Sequence, residues 1–205
     1  MIGILEYGMG NVGSIKNMLN RISVASKLVS DPTLLANFDR LILPGVGAFD
    51  AGMTRLVQSG FRSKLDELAQ QGMPILGICL GMQLLGRGSE EGRLPGLGWI
   101  EADVVRFKVD AASATHRLKV PHMGWNVVNP ISEPQLFQGL VIEPRFYFVH
   151  SFHMVCDDPS DVIASVDYGG LVTAAVRHGN IQGAQFHPEK SHKFGMKLLE
   201  NFAKC

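Results

Sequence analysis

The sequence predicts an α/β fold: a mostly parallel central sheet with helices on both faces, extended by additional antiparallel strands from the second half. Two observations support this class. In the first half, short apolar strand-like segments alternate with segments of helical spacing, which is typical of a parallel sheet covered by helices. In the second half, strand-like segments follow one another with turns between them, which indicates antiparallel strands added at an edge or end of the sheet.

The elements of the first half follow from short apolar runs and from the residues that separate them. Each predicted strand lacks helical spacing, whereas each predicted helix repeats its apolar residues every three or four positions. Pro44 and Gly45 end the third strand, and Gly60 interrupts the second helical segment. In order, the predicted elements are a strand over 2–6, a helix over 14–22, strands over 26–29 and 40–43, a helical segment over 49–71 and a strand over 75–78.

The second half changes character, because nearly all of its apolar segments read as strands. Turn residues such as His178-Gly179-Asn180 separate them. A single amphipathic helix over 190–203 is expected to close the chain. The predicted strands are 99–107, 125–128, 146–149, 161–166, 171–177 and 181–186.

Composition predicts one catalytic domain over residues 1–205. The chain has 205 residues, 46% of them hydrophobic, which is enough for a substantial core. Lys plus Arg and Asp plus Glu number 19 each, so no broad basic field exists to bind nucleic acid or an acidic membrane. The N-terminus lacks signal-peptide features, and no uncharged apolar run is long enough to span a bilayer. Three cysteines without close pairing indicate a reducing, cytoplasmic location.

Residues 74–84, Pro-Ile-Leu-Gly-Ile-Cys-Leu-Gly-Met-Gln-Leu, predict a buried strand that turns sharply at a cysteine and enters a helix. This is the form of a nucleophile elbow. Gly77 and Gly81, two positions away on either side of Cys79, carry no side chain that could clash in so tight a turn. Cys79 would stand at the positive N-terminal end of the helix, which favours the thiolate over the thiol. The sequence therefore predicts covalent chemistry at this residue.

A thiol nucleophile needs a base that is itself held in place, and the chain offers one near its end. His187 follows a predicted strand, and Pro188 restricts the backbone between it and Glu189. The three side chains would act as a triad: Cys79 attacks, His187 carries the proton, and Glu189 orients the imidazole and stabilises its charged form. Taken singly, Cys79 could be a small buried core residue and His187 the end of a strand. Their combination favours catalysis.

At these residues the sequence resembles the class I, or triad-type, glutamine amidotransferases. The nucleophile motif is Gly-Ile-Cys-Leu-Gly-Met-Gln at 77–83, and His187-Pro188-Glu189 carries the other two triad members. The resemblance covers nearly the whole chain. Motifs outside the triad are similar to those of one branch of the family, the glutaminase subunits of imidazole glycerol phosphate synthases. They are Tyr-Gly-Met-Gly-Asn at 7–11, Leu-Pro-Gly-Val-Gly-Ala-Phe at 43–49, Pro-His-Met-Gly-Trp-Asn at 121–126, Tyr-Phe-Val-His-Ser at 147–151 and Lys-Ser at 190–191.

The resemblance implies hydrolysis of glutamine to glutamate, with the ammonia handed to a partner. Cys79 would attack the side-chain amide, pass through a tetrahedral oxyanion to a thioester and release ammonia, after which water would release glutamate. By family similarity, the backbone N–H groups of Leu80 and Gly47 hold the oxyanion. Glycines allow the peptide at Gly47 to flip, so the oxyanion hole is expected to be completed only on a signal. An ordinary tight turn is the alternative interpretation of these glycines.

Family similarity also implies three residues for the charged ends of glutamine. Gln83, one helical turn after Cys79, would lie on the side of the nucleophile. Glu91 is the candidate partner of the substrate ammonium, and the backbone of Ser151 could serve the carboxylate end. Glu90 and Glu91 could equally be part of a solvated loop.

The implied partner is a (β/α)8-barrel cyclase subunit, joined with this chain in a heterodimer of histidine biosynthesis. Released ammonia would mostly become ammonium in water and lose its nucleophilicity, so a closed route to a second active site is required. By resemblance the cyclase makes imidazole glycerol phosphate and an aminoimidazole carboxamide ribotide. The implied interface residues are Asn11, Met123, Trp125 and Lys190, with Met9 nearby. Core packing is the more frequent role of a tryptophan, and a solvated charge that of a lysine.

Several alternatives stay open on the sequence. Residues 8–13, Gly-Met-Gly-Asn-Val-Gly, match a dinucleotide fingerprint, and Asp31 lies near the distance expected of a ribose-binding acid. That interpretation lacks a second, substrate-binding domain. A second alternative is a stand-alone cysteine hydrolase, which would be fully active without a partner. A third is the glutaminase component of another amidotransferase, which would supply ammonia to a different partner subunit. A binding module that has lost catalysis would not be captured by a glutamine-mimicking electrophile.

No cofactor and no metal are predicted. His150 and His153 are three positions apart in a strand-like stretch, a spacing expected to point them to opposite faces, and no cysteine or carboxylate cluster completes a site. Cys156 and Cys205 belong to no motif and are predicted to be structural or incidental.

Overall fold

The structure is a computed structural model that describes residues 1–107, 119–140 and 143–205. The strands are β1 Ile2–Leu5, β2 Ser26–Val29, β3 Arg40–Gly45, β4 Ile75–Cys79, β5 Gly88–Ser89, β6 Ala102–Arg106, β7 His122–Pro130, β8 Arg145–His150, β9 Phe152–Cys156, β10 Val162–Asp167, β11 Leu171–His178 and β12 Ile181–Ala184. The α-helices are α1 Val12–Arg21, α2 Phe49–Gln58, α3 Phe61–Gln70, α4 Leu80–Gln83 and α5 His192–Lys204. Short 3-10 helices cover Pro32–Asn37, Gln135–Phe137, Pro159–Asp161 and Pro188–Lys190.

In the described ranges the larger of two sheets has nine strands, in the order β2-β1-β3-β4-β12-β11-β10-β7-β8. From β2 to β12 neighbouring strands run parallel. From β12 to β8 neighbouring strands run antiparallel. The predicted fold class, a parallel sheet extended by antiparallel strands from the second half, is confirmed.

One strand, β12, joins the two halves of the chain. It lies near the C-terminus of the chain, yet it pairs in parallel with β4, with Ala184 beside Ile78. Parallel strands carry their C-terminal ends to the same edge of a sheet, so the segments that follow β4 and β12 meet there. Those segments contain the predicted elbow at Cys79 and the predicted base, His187.

The core consists of two apolar clusters, one on each face of the larger sheet. Ile42 packs in one cluster, and its neighbours Leu41 and Leu43 pack in the other, because successive side chains of a strand point to opposite faces. Apolar residues of α1 and α5 complete the first cluster, and those of α2 and α3 complete the second. Each fully buried leucine or phenylalanine in such a core contributes roughly 1.5–3 kcal/mol relative to exposure.

The smaller sheet, β5-β6-β9, differs from the prediction. β5 has only two residues, too few for a periodic pattern. β9 is separated from β8 by Ser151 alone, so the two strands read as one stretch in the sequence. The strand predicted from Trp99 starts only at Ala102, because the backbone N–H groups of Trp99 and Ile100 donate to the carbonyl of Leu85 instead.

The helix after the elbow, α4, is a single turn of four residues. Beyond it, Leu85 donates to Met82 and Gly86 donates to Gln83 in tighter turns that end the helix. A helix dipole grows from aligned peptides, so one turn supplies less positive potential to Cys79 than the sequence argument assumed. Across the described residues, none of the helices combines the length and the apolar character needed to cross a membrane.

Candidate active site

Cys79 ends β4 in a sharp turn, with φ 55° and ψ −111°. Such a positive φ is strained for a residue with a side chain and is typical of functional sites. A side-chain carbon at Gly77 would lie 2.6 Å from the carbonyl oxygen of Gly81, and one at Gly81 would lie 1.9 Å from that of Leu43. The elbow therefore requires both glycines, partly because β3 packs so closely against the start of α4.

The elbow opens into a cavity of about 290 Å³. Seven of the eight predicted triad, oxyanion and substrate residues line this cavity: Cys79, His187, Gly47, Leu80, Gln83, Glu91 and Ser151. The eighth, Glu189, is not among its described lining. A larger cavity of about 620 Å³ lies at residues 130–140, and its described lining includes none of the eight predicted site residues. The smaller cavity is therefore the candidate active site, because the chemistry is there.

Glu189 lies directly behind the base. His187 Nδ1 is 2.8 Å from Glu189 Oε1, so the imidazole donates its Nδ1 proton to the carboxylate. The backbone of His187 is held as well, since its N–H donates to the carbonyl of Tyr147 at 2.9 Å and its carbonyl accepts from Ser191 Oγ at 2.6 Å. His187 Nε2 is buried and makes no hydrogen bond with the described residues. It is the ring nitrogen left to move a proton in the cavity.

The surroundings of His187 favour its charged form. Burial by itself lowers the pKa of the imidazole, but interactions with Cys79 and Glu189 outweigh burial and raise the pKa to about 9. Such a ring is an imidazolium near neutral pH, and it can both stabilise a neighbouring thiolate and give up a proton.

Gln185, which was not among the predicted site residues, also contacts the nucleophile. Its side chain is fully buried, its Nε2 donates to Cys79 Sγ at 3.9 Å, and its Oε1 accepts from Gln83 Nε2 at 3.1 Å. The signal in the sequence is its position two residues before His187, on the same side of the extended chain. A lone glutamine is too common to identify without the pairing of β12 with β4.

Gln83 is at the predicted place, but its donors are engaged within the protein. Its Nε2 donates to the carbonyl of Phe152 at 3.0 Å as well as to Gln185. A side-chain amide has two N–H donors and one carbonyl acceptor. Only the carbonyl oxygen of Gln83 is therefore free to bind a ligand, and its role toward substrate stays a prediction.

The two glutamates 90 and 91 are exposed, as a solvated loop would have them, but each also accepts a hydrogen bond from a backbone group. Glu91 Oε2 accepts from the N–H of Phe49, the first residue of α2, at 2.8 Å. Glu90 Oε2 accepts from the N–H of Arg106 at 2.7 Å. Asp50 in turn accepts from the N–H groups of Arg93 and Leu94, at 3.0 Å each. Hydrogen bonds to Phe49 and Asp50 therefore hold the loop at residues 91–94 against α2, the helix that follows residues 45–47.

The glycine segment lies against the elbow. A side-chain carbon at Gly45 would lie 2.7 Å from the N of Gly81 and 2.8 Å from Leu80 Cβ. Gly47 has φ +116°, and a side-chain carbon there would lie 3.3 Å from the Met9 Cε. Gly47 and Leu80 both line the cavity beside Cys79. Their use as oxyanion donors stays a prediction.

The residues predicted to face a partner are exposed. On β7, Met123 is 61% and Trp125 is 47% exposed, which excludes the alternative of core packing. The ring of Trp125 stacks on His192 at 5.4 Å, and the ammonium of Lys190 lies 5.5 Å from the ring centre of Tyr147. Trp125, Tyr147, Lys190 and His192 thus form one surface, called here the Trp125 face. Asn11 is also exposed, just before α1.

The dinucleotide interpretation finds no support in the geometry. In that fingerprint the third glycine allows a helix and a strand to pack closely. Here the third glycine is Gly13, and a side-chain carbon there would meet nothing within 4 Å. Gly10 instead allows the loop to approach Pro44, at 2.8 Å, so the loop closes over the end of β3.

The predicted placement of two histidines on opposite faces is wrong. His150 belongs to β8 and His153 to β9, and both rings contact Phe107, with centroids 5.2 and 4.9 Å away. The turn at Ser151 breaks the alternation on which the prediction depended. Within the described ranges, no three His, Cys, Asp or Glu side chains are grouped closely enough to ligate a metal ion.

A mixed sheet with a cysteine elbow and a buried His-Glu pair at the ends of two parallel strands defines a class of protein. The chain belongs to the class I glutamine amidotransferases, whose family model matches residues 4–205.

Relatives that match over the whole chain narrow this class to one branch. "Imidazole glycerol phosphate synthase subunit HisH 2" of Methanococcus maripaludis is 50% identical over 205 residues and spans 100% of this chain and 99% of its own. The protein of the same name in Pseudomonas aeruginosa is 50% identical over 206 residues, with 98% of each chain covered. "Imidazole glycerol phosphate synthase subunit HisH" of Leptospira interrogans is 46% identical over 204 residues, with 99% of each covered.

Solved structures with lower sequence identity share the fold. A putative GMP synthase protein from Thermoplasma acidophilum matches with a TM-score of 0.72 at 23% identity, covering 99% of this chain and 92% of that one. PurLQS from Thermotoga maritima matches with a TM-score of 0.72 at 18% identity, covering 99% and 97%. The chain therefore shares its overall fold with these solved structures.

Proposed function

We propose that this chain is the glutaminase subunit of an imidazole glycerol phosphate synthase. It hydrolyses L-glutamine to L-glutamate and passes the ammonia to a cyclase subunit. The observation that carries the proposal is the shared cavity of Cys79 and His187, with Glu189 hydrogen-bonded behind the imidazole. The names of relatives 50% identical over the whole chain support the choice of this branch over another amidotransferase.

The reaction uses the triad in two stages. The Cys79 sulfur attacks the amide carbon of glutamine, a C–S bond forms, and the carbonyl electrons move onto oxygen. The oxyanion accepts hydrogen bonds from the backbone N–H groups of Leu80 and Gly47. His187 then protonates the amide nitrogen from Nε2, the C–N bond breaks, and ammonia leaves a thioester.

Water completes the cycle. His187, now neutral, accepts a proton from the attacking water, the C–S bond breaks, and glutamate leaves. Glu189 holds the ring by its Nδ1 proton through both stages and offsets the positive charge while the ring is an imidazolium. The buried position of the pair strengthens this interaction relative to water.

Substrate binding uses the cavity walls around the nucleophile. The carbonyl oxygen of Gln83 and the carboxylate of Glu91 attract the ammonium of glutamine, and the backbone at Ser151 serves its carboxylate. These assignments are supported by the common lining of the cavity. Glu91 already accepts one backbone hydrogen bond through Oε2, so its other oxygen is the one available to a substrate.

The Trp125 face, together with Asn11 and Met123, binds the (β/α)8-barrel of the cyclase subunit. The exposure of two large apolar side chains beside a lysine supports this, since an aromatic anchor with a charged rim is typical of interfaces. The ammonia travels inside the complex and is used to make imidazole glycerol phosphate and an aminoimidazole carboxamide ribotide. The heterodimer works in the cytoplasm, in histidine biosynthesis.

Steady-state glutaminase rates with and without the ligand-bound cyclase subunit test the proposal. The chain alone is expected to hydrolyse glutamine poorly and to accelerate in the complex, because the oxyanion hole is completed there. Full activity in isolation would indicate a stand-alone cysteine hydrolase instead. Activation by a different synthase subunit would indicate another amidotransferase. Failure of a glutamine-mimicking electrophile to capture Cys79 would indicate a binding module.

A further inference from the structure

Three polar side chains beside the cavity, His150, His122 and Asn126, take no part in the proposed reaction. His150 lines the cavity, and His122 is its direct partner in the β7-β8 pair. Asn126 lies four residues along β7 on the same face as His122, because strand side chains alternate. Both histidines are buried. The three side chains are hydrogen-bonded in series, and the chemistry of their atoms determines the direction of each bond.

The direction is determined first at His150. Its Nδ1 is 2.8 Å from the carbonyl oxygen of Phe152, and a carbonyl only accepts, so Nδ1 carries hydrogen. Burial lowers the pKa of His150 to about 3, so the ring is neutral and its Nε2 is a bare acceptor. His122 Nδ1 lies 2.9 Å from that Nε2 and must donate to it.

The same reasoning continues outward from His122. Burial lowers its pKa to about 4, so its Nε2 is also a bare acceptor, and Asn126 Nδ2 donates to it at 3.4 Å. The other N–H of Asn126 donates to the carbonyl of Asp167 at 3.1 Å. Its amide oxygen accepts from the N–H of Val127 at 2.8 Å. Each polar side-chain atom in the series therefore has a partner of the required kind.

Aromatic packing keeps the imidazole rings in these orientations. His122 stacks on Tyr168, with centroids 3.9 Å apart, and on Phe148 at 4.5 Å. Phe107 packs against His150 at 5.2 Å. Rings held between neighbours in this way cannot turn to exchange their nitrogens without displacing the packing.

The inner end of the series acts on the wall of the cavity. The carbonyl of Phe152 accepts from His150 Nδ1 at 2.8 Å and from Gln83 Nε2 at 3.0 Å. Both lone pairs of this oxygen are thereby used. The two hydrogen bonds fix the orientation of the peptide plane between Phe152 and His153. Ser151 and Phe152 line the cavity together with Gln83.

We propose that His150, His122 and Asn126 are positioning residues for glutamine binding, forming a one-way hydrogen-bond series that holds the Ser151–Phe152 wall in place. The inference rests on the proposed function, which assigns this wall to the carboxylate end of glutamine. Because the series acts away from the scissile amide, its loss weakens substrate binding rather than the chemical step.

Nitrogen-15 NMR of the histidine rings tests the series without using catalysis. Near neutral pH, both His122 and His150 are expected to be neutral and protonated at Nδ1. An imidazolium, or a proton on Nε2 in either ring, would contradict the deduced direction. This measurement uses the wild-type chain, so it stands whether or not any variant folds.

Kinetics in the complex with the cyclase subunit test the positioning role. His122→Phe keeps a ring but leaves His150 Nε2 without its donor, and the KM for L-glutamine is expected to rise about tenfold with kcat nearly unchanged. His122→Asn, whose side-chain N–H can replace Nδ1–H, is expected to recover most of the affinity. His153→Phe is the matched control, since His153 packs on the same Phe107 ring outside the series, and its KM should equal that of the wild type.

The outcomes separate this inference from the proposed function. An unchanged KM in His122→Phe, or an equal rise in His153→Phe, would overturn the positioning role while leaving the glutaminase intact. If His122→Phe does not fold, failure of His122→Asn to bind glutamine better than His122→Leu would overturn it. A wild-type complex without glutaminase activity would instead refute the proposed function, and the NMR result would still decide the direction of the series.

Discussion

His187 Nδ1 lies 2.8 Å from Glu189 Oε1, and both side chains are only 2% exposed. Burial opposes a charge on the imidazole, yet the interactions with Cys79 and Glu189 raise its pKa to about 9. The pair therefore keeps a proton on His187 near neutral pH. In the proposed reaction His187 gives this proton to the departing ammonia.

Cys79→Ala is expected to reduce glutamine-dependent turnover of the complex by at least about 1,000-fold, because the proposed thioester forms on the Cys79 sulfur. Synthesis driven by added ammonium salts should continue, since the partner's site is untouched. Both rates are measured in one steady-state assay. Cys156→Ala is the matched control and should retain both, because Cys156 lies outside the cavity lining. Retained glutamine turnover in Cys79→Ala would show that the nucleophile is another residue.

The glutaminase rate is expected to fall as pH rises through about 9, because the raised pKa of His187 places the loss of its proton there. In Glu189→Gln the neutral amide no longer stabilises the imidazolium, so the pKa drops and the alkaline limb moves to lower pH. The kcat should also drop by roughly 100-fold or more, since the ring loses its orienting acceptor. A pH profile of kcat measures both effects. An alkaline limb that does not move would exclude the ion pair as its cause.

Trp125→Ala is expected to raise the Kd for the cyclase subunit by about tenfold or more, because a half-exposed tryptophan at an interface is a typical hot spot. The melting temperature should barely change, since the ring lies outside the core clusters. Titration calorimetry provides the Kd. Leu34→Ala is the control: Leu34 is 48% exposed and follows β2, which lies at the opposite edge of the larger sheet from β7 and β8. Equal losses in both variants would contradict the assigned interface.

Gly81→Ala is expected to lower the free energy of unfolding by roughly 1–3 kcal/mol or more and to abolish glutaminase activity. The added carbon would lie 1.9 Å from the carbonyl oxygen of Leu43, so β3 and the elbow must separate. Gly13→Ala, in helix α1 with open space around it, should raise stability by up to about 1 kcal/mol. Urea unfolding measures the free energy of unfolding of both variants, and a glutaminase assay measures their activity. A stable, active Gly81→Ala would show that the elbow does not need the close approach.

Much of the fold was predictable because its signals are local. Apolar runs, glycine breaks and helical spacing located β2 at Ser26–Val29 and the break at Gly60 between α2 and α3. Prediction failed where a short turn ends an element without changing the apolar pattern of the sequence. β9 was missed because a turn at one residue, Ser151, separates it from β8. The helix α4 is one turn long because Leu85 and Gly86 donate only three residues back, to Met82 and Gln83.

The candidate site divides in the same way. The elbow and the His187-Pro188-Glu189 string are contiguous motifs, so the sequence was sufficient to propose them. Gln185 belongs to no motif, and the motifs that contain His122 and His150 do not predict the contact between the two rings, because such contacts arise only when strands pair. Gln185 and Cys79 are 106 positions apart in the chain, and no local pattern records that distance.

The sequence by itself determined which chemistry is available: a cysteine in a turn that only glycines permit, an imidazole beside a carboxylate, and a fold of alternating strands and helices. Only the tertiary structure decided which groups meet. The parallel pairing of β12 with β4 brings His187 to Cys79, and the interactions of His187 with Cys79 and Glu189, which outweigh burial, set the charge on the imidazole. The physical reason is that backbone preferences act between neighbours in the chain, whereas burial and electrostatics depend on what packs alongside.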